Sequence, residues 1–214
     1  MKKRIFFSFL LLHSAMVFSF DYASLYESVE KDEADKVFAF LGRDGVDINE
    51  IPDKYENLLI YSSRVRACET GAKLLARYYK GEAFVSLRNE AFWEASAAGS
   101  TCLVKHFLDS GVNINFSKSG ANSLYFSLEN GNLDVANLLI KKGVDLFQIT
   151  ESGETMLFAA ALSGDKETAK FLIESGVSVS SRNKEGRTAL DFARYKWDDQ
   201  SQIVEFLKQQ NTLR

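Results

Sequence analysis

In the second half of this 214-residue chain a glycine returns at a constant interval, at Gly120, Gly153 and Gly186. Each opens a similar string: Gly120-Ala-Asn-Ser-Leu-Tyr-Phe-Ser, Gly153-Glu-Thr-Met-Leu-Phe-Ala-Ala and Gly186-Arg-Thr-Ala-Leu-Asp-Phe-Ala. Two further series keep step with it, Gly99, Gly131 and Gly164, then Gly111, Gly143 and Gly176. Three glycine positions holding register over about a hundred residues leave little room for an irregular fold, because a fixed period of about 20–50 residues is the mark of a stacked-repeat architecture.

One unit shows what the period means physically. Thr155 is placed to cap a short first helix, Met156 to Leu162, with its hydroxyl accepting from a backbone N–H one turn on. Gly164 suits the exit from that helix, where a left-handed φ costs glycine nothing. A second helix from Asp165 to Glu174 sets Ala169, Leu172 and Ile173 on one face. Gly176 ends it, and Val177 to Gly186 is an extended loop to the next unit. A pair this small cannot bury its own apolar stripe and must stack on copies of itself.

The pattern resembles the ankyrin repeat family, whose unit reads roughly Gly-x-Thr-Pro-Leu-His-x-Ala-Ala-x-x-Gly, then a second helix, then Gly-Ala-Asp-Val-Asn. The Thr place is held by Asn122, Thr155 and Thr188, and the Leu place by Leu124, Leu157 and Leu190. The unit's end recurs in Gly111-Val-Asn-Ile-Asn115, Gly143-Val-Asp-Leu146 and Gly45-Val-Asp-Ile-Asn49. Ser123, Met156 and Ala189 replace the family's Pro, and Tyr125, Phe158 and Asp191 its His, so any capping bond made by that His must be replaced. The clear match covers about residues 88–194. The resemblance implies an all-α solenoid of about six stacked helix-turn-helix units joined by short extended loops, with units near 21–52, 53–86, 87–118, 119–151, 152–184 and 185–212.

Ahead of the stack, Lys2-Lys3-Arg4 and the apolar run Ile5 to Phe18 read as a secretory signal peptide over residues 1–19. The run falls short of the roughly 20 residues a membrane helix needs. The expected protein is therefore exported, periplasmic or secreted, with no stable membrane insertion after cleavage. The chain carries 26 Lys and Arg against 29 Asp and Glu, and losing the three leader cations takes its net charge from −3 to about −6. Nucleic acid is a poor partner for such a balance, since its affinity rests on clustered cations neutralising phosphates. In the first unit Leu25, Val29, Val37, Phe38 and Leu41 keep helical spacing, with Glu30 to Asp35 where other units carry the inter-helix glycine. The second unit, with Leu58, Leu59, Leu74 and Leu75 as core, has a middle turn over Ser62 to Thr70 that reads as lengthened. Phe92, Leu103, Val104, Phe107 and Leu108 mark the third core; Ile203, Val204, Phe206 and Leu207 mark the last.

No catalytic, cofactor-binding or metal site is expected. His106 is the sole histidine after the leader, and a general base needs a positioned partner. One His and two Cys do not make the usual four-ligand zinc site. The glycines match no phosphate-cradling motif. Cys68 and Cys102 stand close to one repeat period apart. Positions one period apart are neighbours in a stack, so a disulfide between them and two free thiols are both compatible with the spacing.

What remains is surface. The resemblance implies one continuous concave face, lined by the loops and the exposed side of the first helices. Phe116, Lys118, Phe147, Gln148, Arg182 and Asn183 would sit on the loops, and Trp93, Tyr125, Glu129 and Asn130 on or beside the helices. Aromatic and Arg residues in such places are the usual anchors of a protein interface. The expected function is a non-catalytic scaffold, acting as a monomer, that binds another protein. Two narrower forms are an immunity or inhibitor protein against a secreted toxin or hydrolase, and a stress-related periplasmic accessory.

Overall fold

The computed structural model describes residues 21–43, 46–48, 51 and 56–212. The expected leader lies outside the described residues, as do parts of the turn at 45–49 and the last two residues. Six helix pairs follow one another: α1 Tyr22–Glu30 with α2 Ala34–Leu41, α3 Leu58–Arg64 with α4 Cys68–Arg77, α5 Val85–Ala98 with α6 Thr101–Asp109, α7 Ser123–Glu129 with α8 Leu133–Lys141, α9 Met156–Ser163 with α10 Lys166–Glu174, and α11 Ala189–Lys196 with α12 Gln202–Thr212. The helix opening the third pair begins slightly ahead of the unit start expected near 87, at Val85 behind a short 3-10 turn, Glu82–Phe84.

The pairs stack in two layers. First helices pack on first helices, α1 on α3 and onward through α11, while α4 lies against α2 and α6, α6 against α8, and α10 against α12. The apolar positions explain the order. Leu25, Leu58, Leu59, Leu74, Phe92, Leu103, Phe107, Leu124, Leu139, Leu157, Leu172 and Leu207 are buried in one continuous core. Each such side chain contributes about 1.5–3 kcal/mol on burial. Ala159, Ala160 and Ala161 are fully buried between α7 and α11, where their small volume lets three helices approach.

The turns inside the first five pairs each carry one left-handed residue, at Asp32 (φ 52°), Arg66 (63°), Gly99 (80°), Gly131 (71°) and Gly164 (78°), whereas the last pair leaves α11 through an extended Trp197 (φ −120°). The middle turn of the second pair is therefore not lengthened. The span between α3 and α4 equals that between α7 and α8, and Arg66 stands where the glycine is missing. Gly164 cannot be replaced freely, since a Cβ there would come within 2.8 Å of the Trp197 ring. Asp32 brings a second benefit: its carboxylate accepts from the Glu69 and Thr70 N–H groups at 3.0 and 2.8 Å, capping α4 from the preceding unit.

Cys68 and Cys102 are joined by a disulfide, with Cα atoms 6.1 Å apart, linking the first turns of α4 and α6. Of the two readings open in the sequence, the bonded one is the structure's. Closing a loop of this length is worth roughly 3–4 kcal/mol on the chain-entropy account.

The extended loops are narrow fingers. Ser117–Lys118 (β1) pairs antiparallel with Ala121–Asn122 (β2). The next two loops repeat the turn with Thr150 N–H donating to Glu154 O at 3.0 Å and Asn183 N–H to Arg187 O at 2.9 Å. Successive fingers are tied by main chain: Glu151 N–H donates to Ser119 O at 2.9 Å and Lys184 N–H to Ser152 O at 2.8 Å. Glycine at position 120 follows from this closeness, because a Cβ would meet Ile149 O at 2.7 Å on a backbone at φ 77°. Behind each finger a residue caps the next first helix. Asn122 accepts from Leu124 and Tyr125 N–H, and Thr188 forms a reciprocal capping box with Asp191. Thr155 holds the same place, but its hydroxyl makes no capping bond; it is buried with no partner among the described residues, contrary to the expectation for this residue.

Candidate partner-binding face

Ten positions were expected to meet a partner, and the structure sorts them by what their side chains do. Trp93, on α5, is half-buried and donates its indole N–H to Ala121 O at 3.2 Å, which ties it to the finger of the next unit. The Lys118 ammonium sits 4.9 Å from its ring centroid and is paired with Glu90 at 2.6 Å and Glu94 at 4.0 Å. On the other side the Phe126 ring meets it edge-on at 4.6 Å. Trp93 and Lys118 are thus brought together, with Glu90, Glu94 and Phe126 as members that the sequence reading missed. All five come from α5, α7 and the finger between the units, and the offset of one repeat between Glu94 and Phe126 is the signal that could have found them.

A second cluster forms one unit on. Tyr125 is only 3 % exposed, and its hydroxyl donates to a Glu154 carboxylate oxygen at 2.5 Å. Burial, then that bond, pushes the Tyr125 phenol well above its usual range. Asn183, 6 % exposed, donates to the other Glu154 oxygen at 3.5 Å and accepts from the Glu185 and Arg187 N–H groups. Both residues therefore brace the joint between neighbouring units. Neither offers a free side chain, which corrects their placement on an open groove. Tyr125 stands where the family has His, and it ties the unit to its neighbour's Glu154. Glu129, at the end of α7, is half-buried; burial and the nearby Glu154 charge raise its carboxyl above the usual glutamate range, against the pull of Lys196.

The remaining positions lie on loops and turns. Asn130 is exposed but donates to Ala97 O at 3.1 Å, at the inter-helix turn, away from the fingers. Phe116 is half-buried beside β1. Phe147 is 58 % exposed with its ring next to Gly176, at the closing turn of the following unit. Gln148 is half-buried, and its Oε1 has no partner among the described residues. The Arg182 guanidinium donates to Gly186 O at 2.6 Å and otherwise faces solvent. Sequence reasoning missed two open apolar groups of this region, Ile149 and Tyr195, the latter 89 % exposed on α11. Tyr195 lies two repeat periods beyond Glu129, so it occupies the same outward place on its first helix.

The row continues toward the start of the chain in polar form. Tyr61 on α3 bonds Glu30 on α1, and burial raises its phenol to about 12. Arg64 bridges Glu56 at 2.6 Å and Glu94 at 3.5 Å. Burial pushes the Glu56 carboxyl up, with Arg64 opposing. The first-helix side is thus a band of aromatic rings and paired charges. Such a band offers ring faces and charge to a partner surface.

The family model described as "Ankyrin repeats (3 copies)" matches residues 143–213. This part of the chain is ankyrin repeat. The same two-layer stacking runs back through the earlier helix pairs. Among solved structures the chain resembles one from the complex of Bd0816, a predatory endopeptidase from Bdellovibrio bacteriovorus, with immunity protein Bd3460. The match has a TM-score of 0.68 at 23 % identity, over 86 % of this chain and 96 % of that one. At that identity the likeness speaks for the fold alone, and it does so over most of the molecule. No curated protein matches the chain.

Proposed function

We propose that this protein is a non-catalytic ankyrin scaffold of the immunity type, which grips a partner enzyme through its first-helix face and fingers and so keeps that enzyme silent in an exported compartment. One observation carries the reading. The ankyrin stack presents large side chains outward that nothing among the described residues covers, foremost Tyr195, with Ile149 and Phe147 on the connecting loop. A rigid row of this kind binds without reorganising, which favours tight and specific association. The fold shared with a chain from an endopeptidase–immunity protein complex supports the inhibitory form. The basic start and apolar run of residues 2–18 support export. No helix among the described residues is long and apolar enough to cross a membrane.

Affinity capture of the tagged full-length chain from the envelope of its own cells, with mass spectrometry, tests the binding. The expected catch is one enzyme in near-stoichiometric amount, whose activity falls on adding one equivalent of the purified chain. Tyr195→Ala should weaken capture by roughly 30-fold or more if Tyr195 is an interface anchor. A captured partner with undiminished activity would leave a scaffold and remove the immunity role.

A further inference from the structure

The disulfide lies on the opposite layer from the face just described, among the second helices, and it has a neighbour. His106 follows Cys102 by four residues on α6, hence on the same side of that helix. Both sulfurs and one imidazole nitrogen of His106 lie within 4.8 Å of one another. Cys102 and His106 are exposed and Cys68 half-buried, so the cluster is open to small solutes. Two thiolates and an imidazole make a donor set of the borderline-soft kind that prefers zinc-class cations, at bond lengths near ~2.3 Å to sulfur and ~2.0–2.1 Å to nitrogen. A Cα separation of 6.1 Å lets two freed sulfurs swing apart around one ion without moving the helices. The α6 N-terminus has no side-chain cap, so its N–H groups favour an anionic sulfur at Cys102.

We propose that reduction of the Cys68–Cys102 bond converts this corner of the stack into a three-ligand cation site, made by the two sulfurs and a ring nitrogen of His106, with a fourth position open to water. The reductant is a dithiol. It delivers two electrons and two protons to the disulfide, releasing two thiols, and closes into its own disulfide. A Zn²⁺ ion then displaces both thiol protons to solvent as it takes the two thiolates. The ion replaces the covalent link between α4 and α6 with a coordinate one, so these two units stay fastened in a reducing compartment as well as an oxidising one. This assignment is independent of the partner and of the immunity reading.

The test uses the full chain opened with a phosphine reductant, which becomes its oxide and does not compete for metal. Titration with Co²⁺, followed by displacement with Zn²⁺, should show one equivalent bound, with thiolate charge-transfer absorption and tetrahedral d–d bands. The disulfide-bonded chain should show neither. His106→Ala, a change at an exposed residue, should weaken binding to the reduced chain by roughly 10–100-fold, on the scale of losing a metal-site group. If the opened chain loses helicity, Zn²⁺ should restore it in the circular dichroism spectrum. A reduced chain that takes up no cobalt, affinity unchanged by His106→Ala, or helicity lost on reduction and not recovered with Zn²⁺ would each overturn the site.

Discussion

The two ends of the stack solve one problem with different residues. The α7–α8 and α9–α10 pairs have glycine at the inter-helix turn, and the fingers from Ser117 to Arg187 are bonded one to the next by main chain. In the first two units the same turns are carried by Asp32 and Arg66, and the joints are made by side chains: the Asp32 cap on α4, the Tyr61–Glu30 bond, and the Cys68–Cys102 bridge. In these turns the left-handed place need not be held by glycine. Glycine and main-chain bonding are one answer, and local side-chain chemistry is another. The family model's match, residues 143–213, falls at the glycine-marked end.

The sharpest break of this comparison is a pair of cavities. Leu74→Ala near the start and Leu172→Ala near the end, both at fully buried positions, should each cost on the order of 2–5 kcal/mol by urea denaturation. A single shared transition in both variants marks one cooperative stack. Leu74→Ala melting in a separate step would show the first units to be an add-on. Next in size, Asp32→Ala removes two charge-assisted bonds that cross from one unit to the next and should cost roughly 1–3 kcal/mol. No change in midpoint would mean the cap is idle. Smaller and of opposite sign, Arg66→Gly relieves a left-handed Arg at about 1–2 kcal/mol while adding about 0.5–1 kcal/mol of unfolded-chain entropy, for a net gain of about 0–1.5 kcal/mol.

The smallest effect separates the far end by pH. Glu129 has its folded carboxyl raised by burial and by Glu154, so its ionisation opposes folding at neutral pH. Glu129→Gln should therefore be slightly more stable than the parent at neutral pH, by less than about 1 kcal/mol after solvent screening. The gap should shrink as pH falls through the raised value, because a protonated Glu129 resembles the amide. Asp191 behaves in the reverse sense. Hydrogen bonds from Thr188 lower its carboxyl, so its support for α11 is present above the ordinary aspartate range and fades as pH falls below it. Thermal midpoints of the two proteins from neutral to acid pH check both signs.

Much of the fold was legible because glycine register, helical spacing and alanine-rich first helices all state the same geometry. Leu58, Leu74, Phe92, Leu157 and Leu207 are buried as their spacing requires. The site was less so. Tyr125 and Asn183 read as exposed loop and helix residues, yet each is pulled into a joint by one carboxylate, Glu154, which lies nearly a full repeat away from each along the chain. Arg66 was invisible as a turn residue because nothing in an Arg side chain announces a left-handed backbone. Tyr195 escaped notice because, at the family's variable positions, no repeat rule says which side chain stands free. Cys102 and His106 carried the one local signal that was available, a spacing of four on a helix, but its meaning depends on Cys68 arriving from the unit before.

The main-chain bonds between fingers, Glu151 to Ser119 and Lys184 to Ser152, have a consequence for how such a surface changes over generations. Alignment there belongs to peptide groups that every amino acid except proline supplies. The Glu151 and Lys184 side chains are thereby released from the duty of holding the comb together. Substitution can rewrite the message those tips display, tooth by tooth, while the comb keeps its shape.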